Sequence, residues 1–113
     1  MVDALHLGCI PVLFSPEDDA HLWPGHWPNS IKADTRVLID GEQFLSGQVD
    51  VLTTLERIPA ARIAAMQQAI GEHAQRMHYA RDDVPGDALE VAFDVLISNR
   101  DRGSTRKKLF GLT

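Results

Sequence analysis

Apolar and polar positions along this chain follow two different periods. Ile10-Pro11-Val12-Leu13-Phe14 is an unbroken apolar run rich in β-formers, set between Gly8 and Ser15-Pro16. Such a run predicts a short strand buried on both faces, as in a parallel sheet. Pro11 fits there only near the strand's start, or where its missing N–H would face no partner. Thr35-Arg36-Val37-Leu38-Ile39 predicts a second short strand, ended by a turn at Asp40-Gly41. Ahead of the first run, residues 3–7 suit the last turn of a helix, with Gly8 as its left-handed cap. The chain is therefore expected to open inside a domain.

Between the strands, residues 15–33 predict a loop with Pro16, Pro24, Pro28, Trp23 and Trp27. Ser15 is placed to N-cap a short helix that has Pro16 at its first position. After the second strand the period changes to that of a helix. Asp50 is expected to cap a helix with Val51, Leu52, Leu55 and Ile58 on one face, and Pro59 to break it and start the next. That next helix, about Ala60 to Tyr79, carries Ile63, Met66, Ile70 and Met77 as a stripe. Asp87 followed by Glu90 resembles a capping box. Leu89, Ala92, Phe93, Leu96 and Ile97 then form the predicted apolar face of a last helix. From Asn99 onward the chain is polar and basic. Residues 1–99 read as one unit and residues 100–113 as a solvated tail.

Strand, loop, strand and then three helices is an α/β pattern. Two strands cannot serve three helices in a full doubly wound sheet, so the expected architecture is the last third of one. It has few parallel strands, and helices predominate toward the C-terminus. Composition agrees with a soluble globular chain, at 44% hydrophobic and 24% charged residues. A net charge of −5 argues against a general nucleic-acid binder, which carries a basic face. Cys9 is the single cysteine, which excludes an internal disulfide. No apolar run reaches the roughly 18 residues of a membrane span.

The segment Asp3-Ala4-Leu5-His6-Leu7-Gly8-Cys9-Ile10-Pro11-Val12 resembles the acidic-Ala-x-x-x-Gly-Cys-x-Pro-Val segment of exostosin-type glycosyltransferases. A wider form of that pattern runs through glycosyltransferases of the GT-B fold. Leu55-Glu56-Arg57-Ile58, then Ile63-Ala64-Ala65-Met66-Gln67, is similar to a helical succession of the family, and Ala92-Phe93-Asp94 to its closing helix. The resemblance departs at Ser15-Pro16, where the family commonly has Ser-Asp. It implies a partial Rossmann-like fold, the C-terminal half of a GT-B enzyme that transfers a sugar from a UDP-sugar to a glycan acceptor. On that basis Asp3 would accept hydrogen bonds from the ribose hydroxyls, and Gly8 would allow the helix-to-strand turn and close packing. No metal or other cofactor is implied. The catalytic base and a phosphate loop would come from sequence ahead of this segment, so the segment alone is expected to be inactive. Localisation on the lumenal side of the Golgi membrane follows from the family only, since no targeting or membrane contact is encoded here.

Plainer readings stand beside these. Asp3 also reads as an exposed carboxylate, and Cys9 as a small buried hydrophobe. His6, Cys9, His21 and His26 match no familiar zinc spacing. His73 and His78 are expected to face solvent. Trp23 and Trp27 suit either a sugar platform or a plug at the core's edge. A non-catalytic α/β interaction module, with an exposed apolar patch around the tryptophans, is the main alternative. A fragment of another nucleotide-binding GT-B enzyme is a further one.

Overall fold

The computed structural model describes residues 1–82 and 84–109, with side chains described as far as residue 102 (Asp83 excepted). Its first helix, α1 (Val2–His6), ends at a Schellman motif. Gly8 N–H donates to the Leu5 carbonyl at 3.0 Å and Cys9 N–H to the Ala4 carbonyl at 2.9 Å. Gly8 takes φ +81°, the left-handed conformation that a side chain disfavours.

The two predicted strands pair in parallel, but only through their central residues. β1 (Val12–Leu13) lies beside β2 (Val37–Leu38), with Val12 opposite Val37 and Leu13 opposite Leu38. Pro11 contributes only an acceptor, its carbonyl taking the Val37 N–H at 2.9 Å, so its missing donor costs nothing on that side. The crossover between the strands carries α2 (Pro16–His21) and α3 (Asn29–Lys32). Ser15 caps α2 as expected, its Oγ accepting from Asp18 N–H at 3.2 Å.

Asp40 does more than end a strand. It N-caps a short helix, α4 (Gly41–Leu45), accepting from the N–H groups of Glu42 and Gln43 at 2.9 and 3.2 Å. Asp50 caps α5 (Val51–Glu56) through Thr53. Pro59 opens α6 (Ala60–His73), which tightens into a 3-10 turn at Ala74–Met77, short of the predicted end at Tyr79. The last helix, α7, runs over Ala88–Leu109. The helix thus continues past Asn99 into the polar, basic stretch, as far as Leu109. Arg and Lys are good helix formers, so a polar, basic sequence is compatible with continued helix.

The core gathers Leu5, Trp27, Ile31 and Ile70, with Ile10, Trp23 and Met77 against it. Met66 and Ile70 of the α6 stripe are buried, while Ile63 lies at its exposed edge. On α7 the predicted apolar face is not the docked one. Leu89, Phe93, Leu96 and Ile97 are exposed, and the helix docks through Ala88 and Val91 instead. Val91 and Val95 fall on the same side as Ala88 at i+3 and i+7, a second stripe that periodicity alone does not separate from the first.

The result is a mostly helical chain around a two-stranded parallel sheet, a mixed α/β arrangement in which helix exceeds strand. Among the described residues, no helix is long and apolar enough to cross a membrane.

Candidate functional site

α1 positions both residues singled out from the sequence. Asp3 lies in its first turn and is exposed. Gly8 ends it, and a Cβ at that position would meet nothing within 4 Å. Gly8 is thus required for its backbone angle. The expectation that it permits close packing is not met.

His6 follows Asp3 by three residues, a spacing that places two side chains on one side of a helix. Its ring packs edge-on against His78, with centroids 5.5 Å apart. The two imidazoles help wall a cavity of about 470 Å³, together with Gln75, Arg81, Asp82 and Asp87. Asp87 is held rigidly there. Its Oδ1 takes the Glu90 N–H at 3.0 Å and its Oδ2 the Ala80 N–H at 3.1 Å. The Glu90 N–H, foremost, holds the Asp87 carboxyl below its ordinary value, and the nearby His78 adds to this. The capping box anticipated here is realised with an offset, since the Glu90 carboxylate takes the N–H of Gly86 at 2.6 Å.

The carboxyl ends of parallel strands are the usual ligand side of an open α/β sheet. Here β1 leads into the Ser15 cap and β2 into the Asp40 cap. Both following helices are short and acidic in the first turn, through Glu17, Asp18 and Asp19 in α2 and Glu42 in α4. Those carboxylates already complement the helix dipoles, so neither end favours a phosphate.

His6, Cys9, His21 and His26 are not drawn together as a metal cluster. His21 Nδ1 meets the Glu17 carbonyl at 2.8 Å, and His26 Nε2 the Ala88 carbonyl at 2.9 Å. Among the described residues, no group of three or more His, Cys, Asp or Glu is arranged to hold a metal ion. Cys9 is exposed, against expectation, because the Schellman turn swings it out of the helix before the strand begins. His73 is half-buried rather than solvent-facing, its ring edge-on to Trp27 at 6.4 Å. Trp27 is buried and donates Nε1–H to Thr35 Oγ1 at 2.9 Å, so it plugs the core and offers no sugar platform. Trp23 is half-buried against the same cluster.

Sequence reasoning missed the polar clamp that holds the crossover. Lys32 is 3% exposed and donates from Nζ to the Asp19 and Ala20 carbonyls, capping the end of α2. Arg36 grips the Asp19 carboxylate with two bonds, at 3.0 and 3.1 Å. No spacing rule links residues 19, 32 and 36; only the crossover does. Arg76 was also missed. It ties the tryptophan loop to the 3-10 turn through the His26 carbonyl at 2.9 Å and the Gly25 carbonyl at 3.1 Å.

Comparison of the chain with protein-family models, with curated proteins and with solved structures finds no match.

Proposed function

We propose that this chain is the nucleotide-sugar-binding part of an exostosin-like glycosyltransferase, with Asp3 as the acceptor for the ribose hydroxyls of a UDP-sugar. The observation that carries the reading is the order of elements over residues 2–13. An exposed acidic residue opens a helix, a left-handed glycine closes it, and a parallel strand follows. A carboxylate suits a ribose because its two oxygens can take both hydroxyls. His6, three residues on from Asp3, walls a cavity with His78 and Arg81, and Arg81 offers a guanidinium to a diphosphate. In this reading the sheet is the edge of a larger Rossmann-like one, the glycan acceptor and the catalytic base belong to the facing half, and the enzyme works in the Golgi lumen.

The test is calorimetric titration of UDP into a protein in which this segment is joined to the facing half and its phosphate loop, with circular dichroism as the folding control. This segment alone, without the phosphate loop, is expected to bind UDP weakly or not at all, and tight binding by it would contradict that part of the reading. In the joined protein, Asp3→Ala should weaken binding roughly ten- to a hundredfold, since a hydrogen bond to a charged acceptor is worth about 1.5–3 kcal/mol. Equal affinity for UDP in Asp3→Ala and the unmodified protein would sink the ribose role.

One observation favours a second reading, a non-catalytic interaction module. Leu89, Phe93, Leu96 and Ile97 leave an apolar strip of α7 exposed, whereas the tryptophans expected to form that patch are turned inward. Sedimentation at rising concentration separates the two. Self-association lost in Phe93→Ser, with no UDP binding by the joined protein, selects the module.

A further inference from the structure

A second cleft lies on the opposite stripe of α7, away from the Asp3 corner. Its floor is apolar, made by Pro24, Val91 and Val95, and its volume is about 410 Å³. That is within the roughly 300–1,000 Å³ of small-molecule sites. The floor exists because residue 25 is glycine. A Cβ there would come within 2.7 Å of Val95 Cγ2, so only glycine lets the loop reach α7 this closely.

The rim is polar and concentrated on one helix stripe. Asp94, Ser98 and Arg102 recur at intervals of four residues, with Asn99 beside them, and all four line the cleft. None of the four makes a side-chain hydrogen bond or ion pair to another described residue. Arg76 forms the facing wall. Its Nε and Nη2 are engaged by the loop carbonyls, which fixes the guanidinium plane, and Nη1 is left with no partner among the described residues. Two guanidiniums stand against one carboxylate, a local surplus of positive charge on a chain of net charge −5.

We propose that this cleft binds a small polyhydroxylated oxyanion, of the sugar phosphate or sugar acid class. Arg76 and Arg102 take the phosphate or carboxylate from two sides, the geometry for which guanidinium is suited. Asp94 accepts from ligand hydroxyls, and Ser98 and Asn99 donate to or accept from them. The apolar floor takes the C–H face of the ring. A zwitterion would leave the surplus charge uncompensated, and a neutral sugar would leave both guanidiniums without a counter-ion. This site is separate from the proposed ribose contact, and its probes contain no nucleotide, so either assignment can fail without the other.

The experiment is amide chemical-shift titration of the full chain with four probes: glucose 6-phosphate, glucuronate, inorganic phosphate and glucose. Expected are saturable shifts at residues 24–26, 76 and 91–102, with dissociation constants of about 1 mM for the first two probes and at least tenfold weaker binding for the last two. Binding by one of the first two alone assigns the oxyanion as phosphate or carboxylate; binding by both assigns the shared chemistry. Arg102→Gln, an exposed change that leaves the loop clamp intact, should weaken glucose 6-phosphate about tenfold. Ser98→Phe, also exposed, should fill the cleft and abolish the shifts with Arg102 still present. Inorganic phosphate binding as tightly as glucose 6-phosphate overturns the recognition of hydroxyls. Absence of saturable shifts, or unchanged affinity in Arg102→Gln with a folded spectrum, overturns the site.

Discussion

The two ends of the helical half are held in different ways. α6 is anchored by side chains that vanish from solvent, with Ile70 at 0% and Met66 at 2% exposure. α4 and α5 bury no residue at all, and Leu45 and Leu52 remain 84% and 70% exposed. Yet both short helices are well capped, by Asp40 and by Asp50. α7 combines the two cases. Ala88 and Val91 dock it, while its outer strip stays uncovered. The contrast teaches that a cap decides where a helix starts, whereas burial decides what it contributes. Fixing a residue costs about 1–2 kcal/mol in backbone entropy, and a cap recovers only part of that.

The largest effect is expected where the contrast is sharpest. Ile70→Ala should destabilise the chain by about 2–5 kcal/mol, the range for a deleted core side chain. Leu45→Ala should stay within about 0.5 kcal/mol, as surface substitutions do. Denaturant unfolding of both variants measures this, and similar losses in the two would dissolve the distinction between anchored and merely capped helices. Next comes the docking of α7. Gly25→Ala pushes a methyl into Val95 and should cost about 1–3 kcal/mol. Adding Val95→Ala should then restore stability relative to Gly25→Ala alone, read in the same unfolding assay. Failure of that rescue would show that α7 does not rest on the loop at this point.

Gly8→Ala should cost about 1–2 kcal/mol through the left-handed backbone alone, since the added methyl meets nothing. Gly8→Asn, better tolerated at that angle, should cost less; equal losses would mean the turn is not what the glycine serves. The smallest effect concerns pH. Asp87 and Asp50 both titrate below their ordinary value of 3.8, Asp87 chiefly through the Glu90 N–H and Asp50 through the Thr53 hydroxyl and N–H. A depressed folded-state value means the contribution is present above the unfolded value and lost as pH falls through the folded one. Stability should therefore drop progressively below about pH 4. Asp87→Asn should flatten part of that slope, as melting temperatures over pH 2–6 would show, in about the range where carboxylates titrate.

Much of the local structure was legible from the chain. Ser15, Asp50 and Asp87 were readable as caps because a side-chain oxygen reaches an N–H only two or three residues away. Gly8 was readable as a left-handed terminus, and both strands as apolar runs. The acidic cap at Asp40 reads from the sequence only as a turn, because the five residues of α4 leave too little periodicity to show. The candidate site was legible only in part. Asp3 and Gly8 came from a pattern in the sequence, but the pairing of His6 with His78 joins residues 72 positions apart in the chain, which only the docking of α1 beside the 3-10 turn brings about.

By itself the sequence determined what depends on neighbours within a turn or two: caps, breaks, the left-handed glycine and the two strand runs. Tertiary structure alone decided which of two apolar stripes on α7 is buried, because both satisfy the helical period and the tryptophan loop and the 3-10 turn meet only the stripe of Ala88, Val91 and Val95. It also decided that Trp27 turns inward to Thr35, that Lys32 closes α2 and that Arg36 pairs with Asp19. Those partners lie 8 to 17 residues apart, beyond the reach of local geometry. Their meeting was set by the crossover that carries the chain from β1 to β2.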